Sequence, residues 1–216
     1  MLPKLPRPSR KGVVLPLALT TGLLAASGIS WAAVTDNLVP TGNYAVACAE
    51  GMNHGTVCQT DNSAVYYYMD SNGKYRLEAG DKDTVTRALR GEYSPTDLAI
   101  HYDSNPSFSG SAETDIIYQE GSDGLDDDAA GTTWCNDNSS AGTYTCDQQY
   151  VRIRGNGYIT YARSCHEAGH AVGLLHGNRA SPRLGLRNDK LGCMVTPSTG
   201  HNNLGSNQVD NINGVY

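Results

Sequence analysis

Apolar and polar positions along the chain alternate first with the period of strands and later with the period of helices. Val65-Tyr66-Tyr67-Tyr68-Met69 is a β-branched and aromatic run that predicts a first strand, stopped by the turn-forming Asp70-Ser71-Asn72-Gly73. Within Asp81 to Glu92, Val85, Ala88 and Leu89 recur at helical spacing, and Asp81 or Asp83 stands where an N-cap belongs. Residues 97–102 and 114–119 read as two more strands. Thr132 to Cys135 reads as a short edge strand, and the alternation of residues 149–154 predicts a half-exposed one. From about Ile159 to Leu174 the pattern is helical again: Tyr161, Cys165, Ala168 and Val172 share one face, and His166 and His170 lie on another. Gly177 to Gly192 reads as a polar connecting loop.

That last helix carries the most informative residues of the chain, in the run His-Glu-Ala-Gly-His-Ala-Val-Gly-Leu-Leu-His from His166 to His176. Positions i and i+4 of a helix lie one above the other, so His166 and His170 can present two imidazole nitrogens to one metal ion. Gly173 can turn the chain without a Cβ penalty and swing His176 back as a third ligand. Three protein ligands leave one zinc position open to water, an arrangement expected of a catalytic site, with Glu167 beside it as candidate base. Two histidines on a polar helix face also occur without any metal; the added Gly and His weigh against that reading.

With this spacing the chain resembles the metzincin zinc metallopeptidases, whose extended signature is followed by a Met-turn. Met194, in Gly192-Cys193-Met194-Val195-Thr196-Pro197, resembles that turn. The C-terminal run from Leu204 to Tyr216 resembles the closing helix of matrixins. The resemblance covers roughly residues 64 to 216. It implies an α+β fold: a twisted mixed sheet packed on helices, with a cleft above a small C-terminal subdomain and an edge strand that pairs with substrate. Trp134 is expected either to line that cleft or to sit in the core. Gly177 stands where matrixins carry Ser, and Asn207 and Gln208 stand where they often carry two acids. No Tyr follows two residues after Met194, unlike the astacin and serralysin branches.

Lys4, Arg7, Arg10 and Lys11 precede an apolar stretch from Gly12 to Ile29, and Ser30-Trp31-Ala32 suits a cleavage site. Residues 1–32 therefore read as a secretory signal, with a membrane anchor as the competing reading, and the mature chain is expected to be secreted, monomeric and free of stable membrane insertion. Residues 33–63 read as an irregular, disulfide-containing segment and residues 64–216 as the peptidase-like domain. The formal net charge of −6 supplies no basic stripe for nucleic acid.

Six cysteines in an exported chain favour disulfides. Proximity suggests Cys48 with Cys58 and Cys135 with Cys146, leaving Cys165 with Cys193. A free Cys48 acting as an inhibitory zinc ligand is the alternative for the first pair. Asp123, Asp126, Asp127 and Asp128 form an acidic cluster that suits either a Ca2+ ion or a solvated loop. Asn138-Ser139-Ser140 fits a glycosylation acceptor. His101 reads as a strand or core residue.

The reading that follows from the resemblance is a zinc metalloendopeptidase acting on polypeptides: zinc on His166, His170 and His176 activates water, Glu167 is the general base, and Met194 shapes the floor. Two other classes stay open. One is a non-catalytic zinc-containing binding module, and the other a zinc hydrolase of a non-protein amide.

Overall fold

The computed structural model describes residues 34–216 except 111, 139–141, 199 and 201–202. The signal segment 1–32 lies outside the described residues, as do Ser139 and Ser140 of the glycosylation acceptor. Val34–Tyr216 forms one compact unit. It is an α+β domain, in which a six-stranded sheet packs against helices. Chain order is β1 (Gln59–Thr60), β2 (Ala64–Met69), α1 (Ala79–Ala88), β3 (Ala99–Tyr102), β4 (Ile116–Glu120), β5 (Gly131–Asn138), β6 (Thr145–Ile153), α2 (Tyr161–Ala171) and α3 (Ser206–Asn213).

The sheet runs β1-β6-β4-β2-β3 with all pairs parallel, and β5 joins β6 antiparallel. Strand β6 is thus hydrogen-bonded to β1, β4 and β5 and is largely buried, so the expectation of a half-exposed strand is corrected. The alternation of Gln149, Val151 and Ile153 with Tyr150, Arg152 and Arg154 mimics an exposed face. Arg152, however, is covered: it donates to Gln119 and lies 3.9 Å from the ring centroid of Tyr75. Strand β5 is eight residues long, not four. Its Trp134 is 8% exposed, stacked on Tyr150, and belongs to the covering of the sheet.

The other face of the sheet carries the core. Val65, Tyr67, Met69, Ile116, Tyr118, Val151 and Ile153 form one core cluster with Val85 of α1 and Leu89 just after it, and with Cys165 and Ala168 of α2 and Val172 at its end. Helix α1 ends at Ala88, and the predicted helix continues as one wider π turn over Leu89–Tyr93. That turn points Tyr93 inward, where its hydroxyl donates to the Cys165 carbonyl of α2.

Residues before β1 belong to the same unit. Leu38 and Val39 are buried, and the stretch pairs at Asp36 with Ser181 and at Leu38 with Leu174. The three disulfides are Cys48–Cys58, Cys135–Cys146 and Cys165–Cys193, and no free cysteine is left. They indicate an oxidising environment. Cys48, Cys58 and Cys135 come together as two adjacent disulfides, not as a thiolate metal site. Among the described residues no helix is long and apolar enough to cross a membrane.

One buried acid makes stability depend on pH. Burial pushes the Asp115 carboxyl up to about 7, against the bond it accepts from the Tyr66 amide, and Asp61 adds to the rise. The folded protein therefore holds this proton more tightly than the unfolded chain. The stabilisation is complete below about pH 4 and is lost as pH rises through about 7. Asp115→Asn should flatten the dependence of folding stability on pH over that window by up to about 1.4 kcal/mol per pH unit. Urea denaturation at a series of pH values checks this, and equal slopes for both proteins would contradict it.

Candidate metal centre

Helix α2 supplies two of the three histidines, and local chemistry sets both of its ends. Thr160 caps the start, its hydroxyl accepting from the Arg163 amide. The helix stops because Gly173 takes a φ of +92°, which lets the Leu174 amide bond back to the Gly169 carbonyl. A Cβ at Gly173 would also press on Gln59 and Val39, at 3.0 and 3.3 Å. The reversal brings His176 beside the helix.

The three Nε2 atoms then converge. His176 Nε2 lies 3.0 Å from His166 Nε2 and 3.1 Å from His170 Nε2. Their opposite nitrogens are directed elsewhere: His166 Nδ1 donates to the Cys193 carbonyl at 2.7 Å and His170 Nδ1 to the Leu174 carbonyl at 2.8 Å. A proton on Nδ1 leaves the Nε2 of His166 and of His170 bare, and these two atoms lie 3.0 and 3.1 Å from His176 Nε2. A tetrahedral zinc with bonds of ~2.05 Å spaces its ligand atoms by ~3.3 Å, close to this triangle. Burial, the largest cause for each ring, pushes His166 down to about 4 and His176 to about 3, and holds His170 well below its ordinary range. All three rings are neutral at physiological pH, the state in which imidazole binds a metal. The cluster can chelate a metal ion.

The surroundings of the cluster are tied together by a disulfide and by close packing. The Cys165–Cys193 disulfide joins α2, one residue before His166, to the turn that holds Met194. Met194 is fully buried, with its sulfur against the backbone of Gly169. A Cβ at Gly169 would collide with that sulfur and reach 3.1 Å from the Tyr93 hydroxyl. Gly169, Tyr93 and Thr133 are contributors that spacing along the chain did not single out.

Glu167 is buried, and its carboxylate accepts from the Thr133 hydroxyl of β5 at 2.9 Å. Burial raises its carboxyl to about 7, with the Thr133 bond opposing the rise. A 320 Å³ cleft next to the histidines is lined by His166, Glu167, His176, Arg163, Thr196, Pro197 and Ser198. Among the described residues, the donor atoms lying within 4.8 Å of one another at this site are the three imidazoles alone, with no carboxylate in the group.

The acidic cluster draws no comparable set of oxygens together. Asp123 is tied to Lys74 and Tyr75, and Arg154 donates to the Asp126 and Asp127 carbonyls. Among the described residues no three carboxylates come together as a group that could hold an ion. His101 is exposed on β3, stacked on Tyr66.

Against known families and curated proteins, the chain matches no family model and no protein. The metzincin and matrixin identification, which rested on the histidine spacing, the Met194 turn and the Leu204–Tyr216 run, is corrected: the ion-binding group is a bare histidine triad, and no family model supports the likeness. The peptidase activity drawn from it falls too, because the ion-binding group comprises three imidazoles without an acid and Glu167 is engaged by Thr133. The chain is assigned neither to the metzincins nor to the zinc hydrolases. What stands is a three-histidine cluster in an α+β domain.

Gly169→Ala is expected to lower folding stability by about 1–3 kcal/mol, the usual cost of forcing a methyl into a filled core. The denaturation midpoint checks this. An unchanged midpoint would show that Met194 can move aside freely.

Proposed function

We propose that the protein is a secreted, non-catalytic zinc-binding module whose metal is held by His166, His170 and His176. The observation that carries the reading is the triangle of Nε2 atoms, with the Nδ1 atoms of His166 and His170 bonded to carbonyls. Such outer partners fix the tautomer and ring orientation of metal-binding histidines. Thiolate ligands are excluded because every cysteine is in a disulfide. Neutral imidazoles with no carboxylate in the group suit Zn2+ better than Ca2+ or Mg2+.

In this reading the ion's role is architectural. It joins α2 to the loop carrying His176, complementing the covalent tie of Cys165 to Cys193. The cleft beside the histidines, lined by Arg163, Thr196, Pro197 and Ser198, would be the surface at which such a module meets a partner. Secretion is supported by the three disulfides and by the apolar stretch after four basic residues at the N-terminus. Glu167 then serves as a buried tie between α2 and β5 through Thr133.

Metal analysis and thermal unfolding of the same preparation test the proposal. Zinc is expected to bind one ion per chain and to stabilise the fold by about 2.7 kcal/mol at a hundredfold excess over its Kd. His176→Ala should abolish both effects. Casein and peptide-library turnover should equal that of the chelated control. Chelator-sensitive hydrolysis that disappears in Glu167→Ala would overturn the non-catalytic reading.

A further inference from the structure

The loop that delivers His176 is held by a cluster of three asparagines, of which Asn37 and Asn207 are buried and Asn211 is half-buried. Asn37 is fully buried. Its side-chain amide donates to the Leu175 carbonyl at 3.0 Å, and its own carbonyl accepts from the Leu175 amide at 2.7 Å. The Asn37 side-chain oxygen accepts from Asn211 at 2.8 Å and from Asn207 at 3.3 Å, both on α3. Those two amides also donate to the Thr35 carbonyl, at 2.8 and 2.9 Å, and Asn207 accepts from the Thr35 amide at 2.7 Å.

Backbone bonds continue on both sides of this cluster. Val39 donates to the Gly173 carbonyl, and Asp36 and Ser181 exchange a pair of bonds. The stretch from 35 to 39 is therefore bonded on both sides of His176 along the chain, at Gly173 and Leu175 before it and at Ser181 after it. Leu174, between those anchors, provides the carbonyl that orients His170.

We infer that Asn37 is a positioning residue for the metal centre, coupling the N-terminal stretch and α3 to His176 and His170 through Leu175. The inference rests on the zinc-binding reading. Asn37 touches no metal-binding atom; it acts through the loop backbone, as outer partners of metal sites do. The amide type matters, because it donates to a carbonyl on one side while accepting from two amides on the other. No carboxylate or aliphatic side chain does both.

Two variants separate the two sides of the cluster. Asn37→Asp keeps an acceptor for Asn207 and Asn211 but removes the donor to Leu175. Asn211→Ala removes part of the α3 side and leaves the Leu175 bond. Zinc affinity is measured by competition with a chromophoric chelator, and the Co2+ absorption spectrum reports ligand geometry. Asn37→Asp is expected to weaken zinc binding about 10–100-fold, the range typical of outer-partner loss, and to alter the Co2+ spectrum. Asn211→Ala should lower thermal stability with affinity within a few-fold of the unaltered protein. A folded Asn37→Asp protein with unaltered affinity and spectrum would overturn the inference.

Hydrogen exchange on the unaltered protein supplies an arm that needs no variant. By reciprocity of coupling, zinc should slow exchange at the Leu175 and Thr35 amides, and unchanged rates at both would equally overturn the inference. If the unaltered protein takes up no zinc at all, the zinc-binding reading fails first, a result distinct from either variant outcome.

Discussion

The convergence of three imidazole Nε2 atoms, with that of His176 lying 3.0 and 3.1 Å from those of His166 and His170, is the constraint on which the rest of this protein depends. Bonds at Nδ1 leave the Nε2 lone pairs of His166 and His170 free, and burial makes protonation costly at each ring. Neighbouring groups hold the rings in place regardless. The Cys193 and Leu174 carbonyls orient two of them, the Cys165–Cys193 disulfide fixes one of those carbonyls to the helix, and Gly169 lets Met194 lie flush against it. The covalent and packing ties share one geometric purpose: they keep α2, the loop after it and the Met194 turn in register.

The same spacing that makes the cluster legible in the sequence does not settle what it does. His166, His170, Gly173 and His176 form a local pattern, and helix geometry brings them together without help from the rest of the chain. Their placement could be read directly. Activity depends on non-local neighbours, and there the spacing argument exceeded its reach. Glu167 is bonded to Thr133, 34 residues earlier, and the group able to hold an ion contains only imidazoles.

The fold was legible to a similar depth. Strands with a clear β-branched and aromatic run, such as β2, lie close to where periodicity places them. The extent of β5 was missed because Asn136, Asp137 and Asn138 have little strand propensity; they pair only because β6 is alongside. The burial of β6 was missed because Arg152 disguises an interior position by bonding Gln119 and covering Tyr75. The asparagine cluster was invisible for a simpler reason. Its members are separated by up to 176 residues from the groups they bond, and nothing in an Asn-rich stretch distinguishes a buried amide from a solvated one.

X-ray absorption at the zinc edge of the metal-loaded protein tests the central claim most directly. Three imidazoles and one lighter ligand should give a first shell of nitrogen and oxygen at about 2.0–2.1 Å, with the outer-shell scattering of imidazole rings. Sulfur at about 2.3 Å, or a shell without imidazole scattering, would contradict a centre built on His166, His170 and His176.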